Sequence, residues 1–112
     1  MSIIQVNDQS VHNQLPKSGV TLIDFGAQWC PPCKTLLPIL ERLDSKFNKR
    51  VTILTVDCDE SPQLAAQYGV MSMPTVIVMN QGEPVEKLVG LRPISVYEQM
   101  IDRYLVKDQS VV

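Results

Sequence analysis

The chain predicts an α/β domain in which helices pack on a mixed sheet. Three observations carry that expectation. Apolar runs of strand length, Val20 to Ala27, Val51 to Val56 and Pro74 to Met79, suit central strands buried on both faces. Between them lie two helical patterns, one an apolar stripe and one opened by a Ser-Pro pair. At 112 residues, with 45% hydrophobic side chains, the chain fits one domain and can bury a core without cross-links.

The elements follow in order. Ile3-Ile4-Gln5-Val6 reads as a short strand, and Asn7 or Asp8 is expected to cap a short helix running towards Leu15. Pro16, Lys17, Ser18 and Gly19 form a turn into the first long apolar strand. A helix starts around the cysteines, with Leu36, Leu40, Leu43 and Phe47 on one stripe. Pro38 removes one backbone bond from that helix and predicts a kink, not two helices. Val51 to Val56 completes a βαβ unit, whose crossover should be right-handed.

Ser61 is the expected cap of the next helix, with Pro62 at its first position, Leu64, Ala65 and Tyr68 inward, and Gly69 at its end. Asn80-Gln81-Gly82 should turn the Pro74 to Met79 strand into an antiparallel partner over Val85 to Val89. Ser95-x-x-Glu98 reads as a capping box before Val96, Met100, Ile101, Tyr104 and Leu105 on one face. Residues 1–107 form a single domain, and residues 108–112 a short C-terminal tail expected to fray. The order is therefore β-α-β-α-β-α-β-β-α, and in such sheets chemistry gathers where strands end and helices begin.

Ten basic against twelve acidic residues give a net charge of −2 and no general reason to expect nucleic acid or anionic lipid. The cluster Lys46, Lys49 and Arg50 falls near a helix C-terminus, where cations favour the dipole and sit in water. Three cysteines are too few and too unevenly spaced for a disulfide framework. Met1 to Asp8 lacks the basic flank and apolar run of a secretory signal, and no stretch approaches the ~20 apolar residues of a membrane span. The expectation is a soluble protein in a reducing compartment, the cytoplasm.

The reactive residues gather at one strand-to-helix junction, Trp29-Cys30-Pro31-Pro32-Cys33-Lys34. Two residues between cysteines let the sulfurs meet in a small ring at a helix start, where free amides and the dipole stabilise a thiolate. Cys30 is expected at the cap and exposed, and Cys33, one turn further in, shielded. That order makes Cys30 the nucleophile that attacks a substrate disulfide and Cys33 the residue that resolves the mixed disulfide. The same spacing serves half of a zinc site, but only Cys58 and His12 could complete it, and the setting suits redox chemistry better. No metal is expected.

From about Ile3 to Leu105 the chain resembles the thioredoxin family. The resemblance is carried by Asp24-Phe25, Ala27-x-Trp29-Cys30-x-Pro32-Cys33-Lys34, Pro38, Asp57-x-Asp59, Tyr68-Gly69-Val70, Met73-Pro74-Thr75 and Gly90. It implies the thioredoxin fold, a central mixed five-stranded sheet flanked by four helices. It also implies a monomeric protein-disulfide reductase that needs no cofactor beyond its own Cys30–Cys33 disulfide. Its electrons would come from thioredoxin reductase, an NADPH-dependent flavoprotein, and pass to disulfide-containing client proteins. By the same resemblance the Met73–Pro74 bond is cis and lies against the cysteines, holding the extended substrate. Trp29, Pro31, Pro32, Gly69, Val70, Met73, Pro74 and Gly90 form the docking surface.

Asp24 lies inside an apolar strand, so burial should raise its pKa. The family's aspartate at this place is thought to exchange protons with the resolving cysteine, which makes Asp24 the third catalytic candidate. Cys58, between Asp57 and Asp59, has acidic neighbours that disfavour a thiolate and reads as a passive thiol. Three departures from the family pattern stand out. Pro31 replaces a glycine and removes a possible donor to Cys30, Gly26 replaces a frequent tryptophan and leaves a hollow, and Thr55 replaces a frequent lysine near Asp24. A contrasting reading is a thioredoxin-fold binding or chaperone subunit whose cysteines are incidental. A pure binder, however, needs neither paired sulfurs nor a buried carboxyl.

Overall fold

A computed structural model describes residues 3–48 and 50–109, with residues 106–109 described by their backbone alone. The strands are β1 (Ile3–Val6), β2 (Val20–Gly26), β3 (Val51–Asp57), β4 (Thr75–Asn80) and β5 (Glu83–Val89). The helices are α1 (Val11–Gln14), α2 (Pro31–Lys46), α3 (Pro62–Gln67) and α4 (Ile94–Gln109). One five-stranded sheet runs in the order β1-β3-β2-β4-β5. β3 pairs in parallel with both β1 and β2, whereas β4 is antiparallel to β2 and β5. The expected mixed sheet with four helices is what the chain forms.

β2 is central, and every one of its residues is buried. Its alternation divides the core in two. Leu22 packs with Leu36, Leu40 and Leu43 of α2 and with Tyr97 and Ile101 of α4. Ile23 and Phe25 point the other way, towards Val11 of α1 and Leu64 of α3. Asp24 is two residues from Leu22 and so falls on the α2 and α4 side. The stripe foreseen for α2 is buried throughout, and Pro38 lies on the exposed side of one uninterrupted helix.

Capping differs from the local reading. Asn7 does not cap α1; its Oδ1 accepts from the amides of Gln9 and Ser10 in a turn before the helix. Asp8 caps another helix altogether, its Oδ1 accepting from the Leu64 amide of α3 at 2.9 Å. Ser61 occupies the N-cap position, yet its buried hydroxyl makes no cap bond and finds no partner among the described residues. A carboxylate binds an amide more strongly than a hydroxyl does and favours the positive end of the dipole, so Asp8, 56 residues before Leu64, caps α3 in place of Ser61. An Asp8→Ala variant is therefore expected to lose about 1 kcal/mol of stability, the usual cost of a cap. Urea unfolding checks this, and an unchanged midpoint would contradict it.

α4 begins at Ile94, so Ser95 is inside the helix and forms no capping box. Glu98 instead accepts from Lys46 of α2 at 2.7 Å, joining the two helices that cover Asp24. The inward face of α4 centres on Tyr97, Ile101 and Tyr104, with Met100 and Leu105 partly buried beside them. Tyr97 is fully buried and was absent from the sequence-derived stripe; its hydroxyl accepts from the Arg92 amide at 3.2 Å. α4 continues to Gln109, so Asp108 and Gln109 are helical, and the rest of the expected tail lies outside the described residues. Among the described residues no helix is long and apolar enough to cross a membrane.

Candidate active site

β2 ends at Gly26, and the chain turns through Ala27 to Trp29 to enter α2 with Cys30 as its N-cap. Pro31 and Pro32 occupy the first two helical positions, where a missing amide costs no intrahelical bond. The Cys30 and Cys33 sulfurs are joined, with their α-carbons 5.3 Å apart. The Cys33 amide donates to the Cys30 sulfur at 3.3 Å. Thus the first amide that can reach this sulfur is that of the third helical residue.

Cys30 is only 4% exposed and Cys33 only 6%, which corrects the expectation that Cys30 is open to solvent. Both sulfurs pack with Ala27 against Met73, and the Cys30 sulfur lies 3.8 Å from the Met73 carbonyl oxygen. The asymmetry between the cysteines is one of direction. Cys30 faces the Met73–Pro74 segment, whose peptide bond is cis, while Cys33 faces a cleft on the other side. Pro74 is buried, and its carbonyl accepts from the Gly90 amide at 2.8 Å, which ties β5 to this segment.

The expected docking residues divide. Pro31 and Pro32 are exposed beside the sulfurs, and Met73 touches them. Gly69, at φ +64° after α3, is held by Lys87 of β5, whose ammonium donates to its carbonyl at 2.7 Å. Val70 is half-buried and packs with the Leu64 core. Trp29 is 65% exposed, and its indole nitrogen donates to Asp59 at 2.7 Å. Asp57 accepts from the Asp59 amide at 2.9 Å and so fixes the loop that presents Asp59. Sequence reasoning missed both Asp59 as the Trp29 anchor and Met71, which is 96% exposed between Val70 and the cis bond. The Asp57-x-Asp59 spacing was the available signal for the first; a lone methionine in a loop gives none for the second.

Asp24 is 4% exposed, and burial alone pushes its pKa up to about 7. Among the described residues its Oδ1 finds no hydrogen-bond partner. Thr55 sits directly across from it on β3, so no ammonium approaches from that position. The hollow expected at Gly26 is a cleft of about 500 Å3 bordered by Asp24, Gly26, Cys33, Lys34, Leu37 and Thr55. A β-carbon on Gly26 would lie 3.2 Å from the Cys33 sulfur and 3.9 Å from Asp24 Oδ1. The Cys58 thiol is pushed up to about 11, by burial first and then by Asp57, Asp24 and Asp59, so it holds its proton at neutral pH.

Pro31 leads to a specific expectation. In a Pro31→Gly variant the restored amide can donate to the Cys30 thiolate, a bond worth ~1.5–3 kcal/mol or less where water competes. The reduced form gains, and glycine also makes ring closure costlier in entropy. The couple should therefore become more oxidising, by about 30 mV for each ~1.4 kcal/mol gained. Equilibration against glutathione measures the shift, and a more reducing variant would contradict this account of the motif.

Comparison with known proteins agrees with this geometry. The family model described as Thioredoxin matches residues 2–103. A protein named thioredoxin from Staphylococcus epidermidis is 44% identical over 105 residues, spanning 94% of this chain and 100% of that protein. One of the same name from Staphylococcus aureus is 43% identical over the same shares. Among solved structures, a mutant thioredoxin from Halobacterium salinarum superposes with a TM-score of 0.84 at 33% identity, covering 92% of this chain and 90% of that one. Reduced Schistosoma mansoni thioredoxin pre-protein does so with a TM-score of 0.84 at 32% identity, covering 93% and 99%.

Proposed function

The chain belongs to the thioredoxin family, and from that premise we propose how its residues divide the work of dithiol–disulfide exchange. The reduced protein attacks a client disulfide with the Cys30 thiolate. One client sulfur leaves as a thiolate, and a Cys30–client disulfide forms. The Cys33 thiol passes its proton to the Asp24 carboxylate, and the Cys33 thiolate attacks the Cys30 sulfur. The second client thiolate departs, two electrons have moved to the client, and the protein is left with the Cys30–Cys33 disulfide. A flavoprotein reductase drawing on NADPH returns two electrons and restores the dithiol.

The observation that carries this reading is the direction each sulfur faces. Cys30 lies against the Met73 carbonyl beside the exposed Trp29, Pro31 and Pro32, where an extended client segment can lie across Met73 and Pro74. Met73, Pro74 and Gly90 form the wall of that groove, and Gly69 and Val70 its far rim. Cys33 lies instead over Asp24, whose pKa of about 7 suits a group that takes and returns a proton near neutrality. The working compartment is the cytoplasm, and the working form a monomer.

Insulin reduction with dithiothreitol as electron source tests the proposal. The protein is expected to hasten precipitation of the insulin B chain well beyond dithiothreitol alone. Equal rates with and without the protein would support a binding subunit instead.

A further inference from the structure

The cleft behind Cys33 has a feature that disulfide exchange does not require. Its floor holds the carboxyl of Asp24, a residue only 4% exposed, whose Oδ1 is closed to solvent and finds no hydrogen-bond partner among the described residues. An ionised carboxylate left so is costly, and a ligand that donates to it recovers that cost. Gly26 keeps the space beside this carboxyl free of a side chain: the point a β-carbon would occupy is 3.2 Å from the Cys33 sulfur and 3.9 Å from Asp24 Oδ1. Around it the walls are amphipathic. Gln5, Gln28 and Thr55 offer side-chain oxygens, and Ala27 and Leu37 offer apolar surface. At about 500 Å3 the space is within the range that holds small ligands.

We propose that this cleft is a binding site for a small primary alkylammonium ion, with its nitrogen on Asp24 and its stem along Ala27 and Leu37. An ammonium has three donors and no acceptor, which matches a carboxylate flanked by amide and hydroxyl oxygens. A neutral alcohol of the same length would keep the apolar contacts and lose the charge pairing. The charged lining is two carboxylates, Asp24 and Asp57, against one ammonium, Lys34, so it favours a cation over an anion. The inference rests on where Asp24 lies and does not depend on its role in proton transfer.

Proton and ligand then compete for one carboxylate, so binding depends on pH. The charged or titratable groups facing Asp24 are Lys34 from α2, Asp57 at the end of β3, Cys58 beyond it and the Tyr97 phenol of α4. In the oxidised protein Cys33 has no thiol, and Cys58 titrates only near 11. Between pH 6 and 8 the response therefore reads Asp24, which is largely protonated at the lower value and largely ionised at the higher.

The test is an NMR titration of the oxidised protein with n-butylammonium chloride, with n-butanol as the neutral control. Saturable shifts are expected at the amides of Gly26, Ala27 and Thr55, with affinity about ten-fold higher at pH 8 than at pH 6. Butanol should bind more weakly and without that pH dependence. Asp24→Asn should abolish the pH dependence, and Gly26→Val, which fills the cleft, should abolish binding. Absence of saturable shifts, equal affinity at both pH values, or shifts unchanged in Asp24→Asn would each overturn the proposal. Disulfide exchange by the wild type is untouched by any of these outcomes, so the two readings fail separately.

Discussion

A Cys30→Ser variant is expected to reduce insulin no faster than dithiothreitol alone. Serine fits the same N-cap, since its hydroxyl accepts from helix amides readily, so the fold should survive. What is lost is the chemistry, because a hydroxyl at neutral pH is neither a thiolate nor able to form a disulfide. Cys33→Ser should also fail to turn over, but for another reason: the first attack still occurs, and nothing releases the client. Cys58→Ser should behave as the wild type, since that thiol stays protonated and sits in the turn after β3. Circular dichroism separates a folded inactive protein from an unfolded one. Residual catalysis in a folded Cys30→Ser variant would remove Cys30 from its assigned role.

The second large effect is expected at Asp24. Its pKa lies near 7 in the folded chain against about 3.8 as its ordinary value. Below pH 4 the carboxyl is neutral whether the chain is folded or not, and it makes no pH-dependent difference to stability. Between pH 4 and 7 the unfolded chain ionises first, so folding is progressively penalised as pH rises. Above pH 7 both states are ionised and the penalty is constant, at about 4 kcal/mol from the size of the shift. Asp24→Asn removes that penalty and leaves a buried amide in its place, whose unmet hydrogen bonds cost ~1–3 kcal/mol. The oxidised variant should therefore gain most over the wild type near pH 8 and least near pH 4. Exchange should slow near neutrality, because on the proposed route Cys33 gives its proton to Asp24. Urea unfolding at both pH values measures the first effect, and a stability difference independent of pH would contradict the cause assigned here.

Much of this was legible because the signals are local. The leucine stripe of α2 depends only on helical spacing, and Leu36, Leu40 and Leu43 are all buried. The apolar run through Asp24 depends only on strand burial, and its raised pKa followed from that alone. The departures arise where a residue's partner is remote in sequence. Asp8 caps α3 and not α1, and Glu98 bridges to Lys46 instead of closing a box, because tertiary contacts offer stronger partners than the neighbouring backbone. Tyr97 escaped the apolar stripe because its polar end is satisfied by the Arg92 amide, a contact no periodicity reveals. The burial of Cys30 has the same origin: helix position predicts a free cap, and the Met73 loop arriving from 43 residues away covers it.

The central claim is that Cys30 attacks and Cys33 resolves, and a Cys33→Ser variant tests it most directly. Incubated with oxidised client proteins, it should accumulate mixed disulfides that survive until a reductant is added. Mass spectrometry of the captured species is expected to find the client joined to Cys30. Clients joined to Cys58, or no captured species from a folded variant that still reduces insulin, would contradict the assignment.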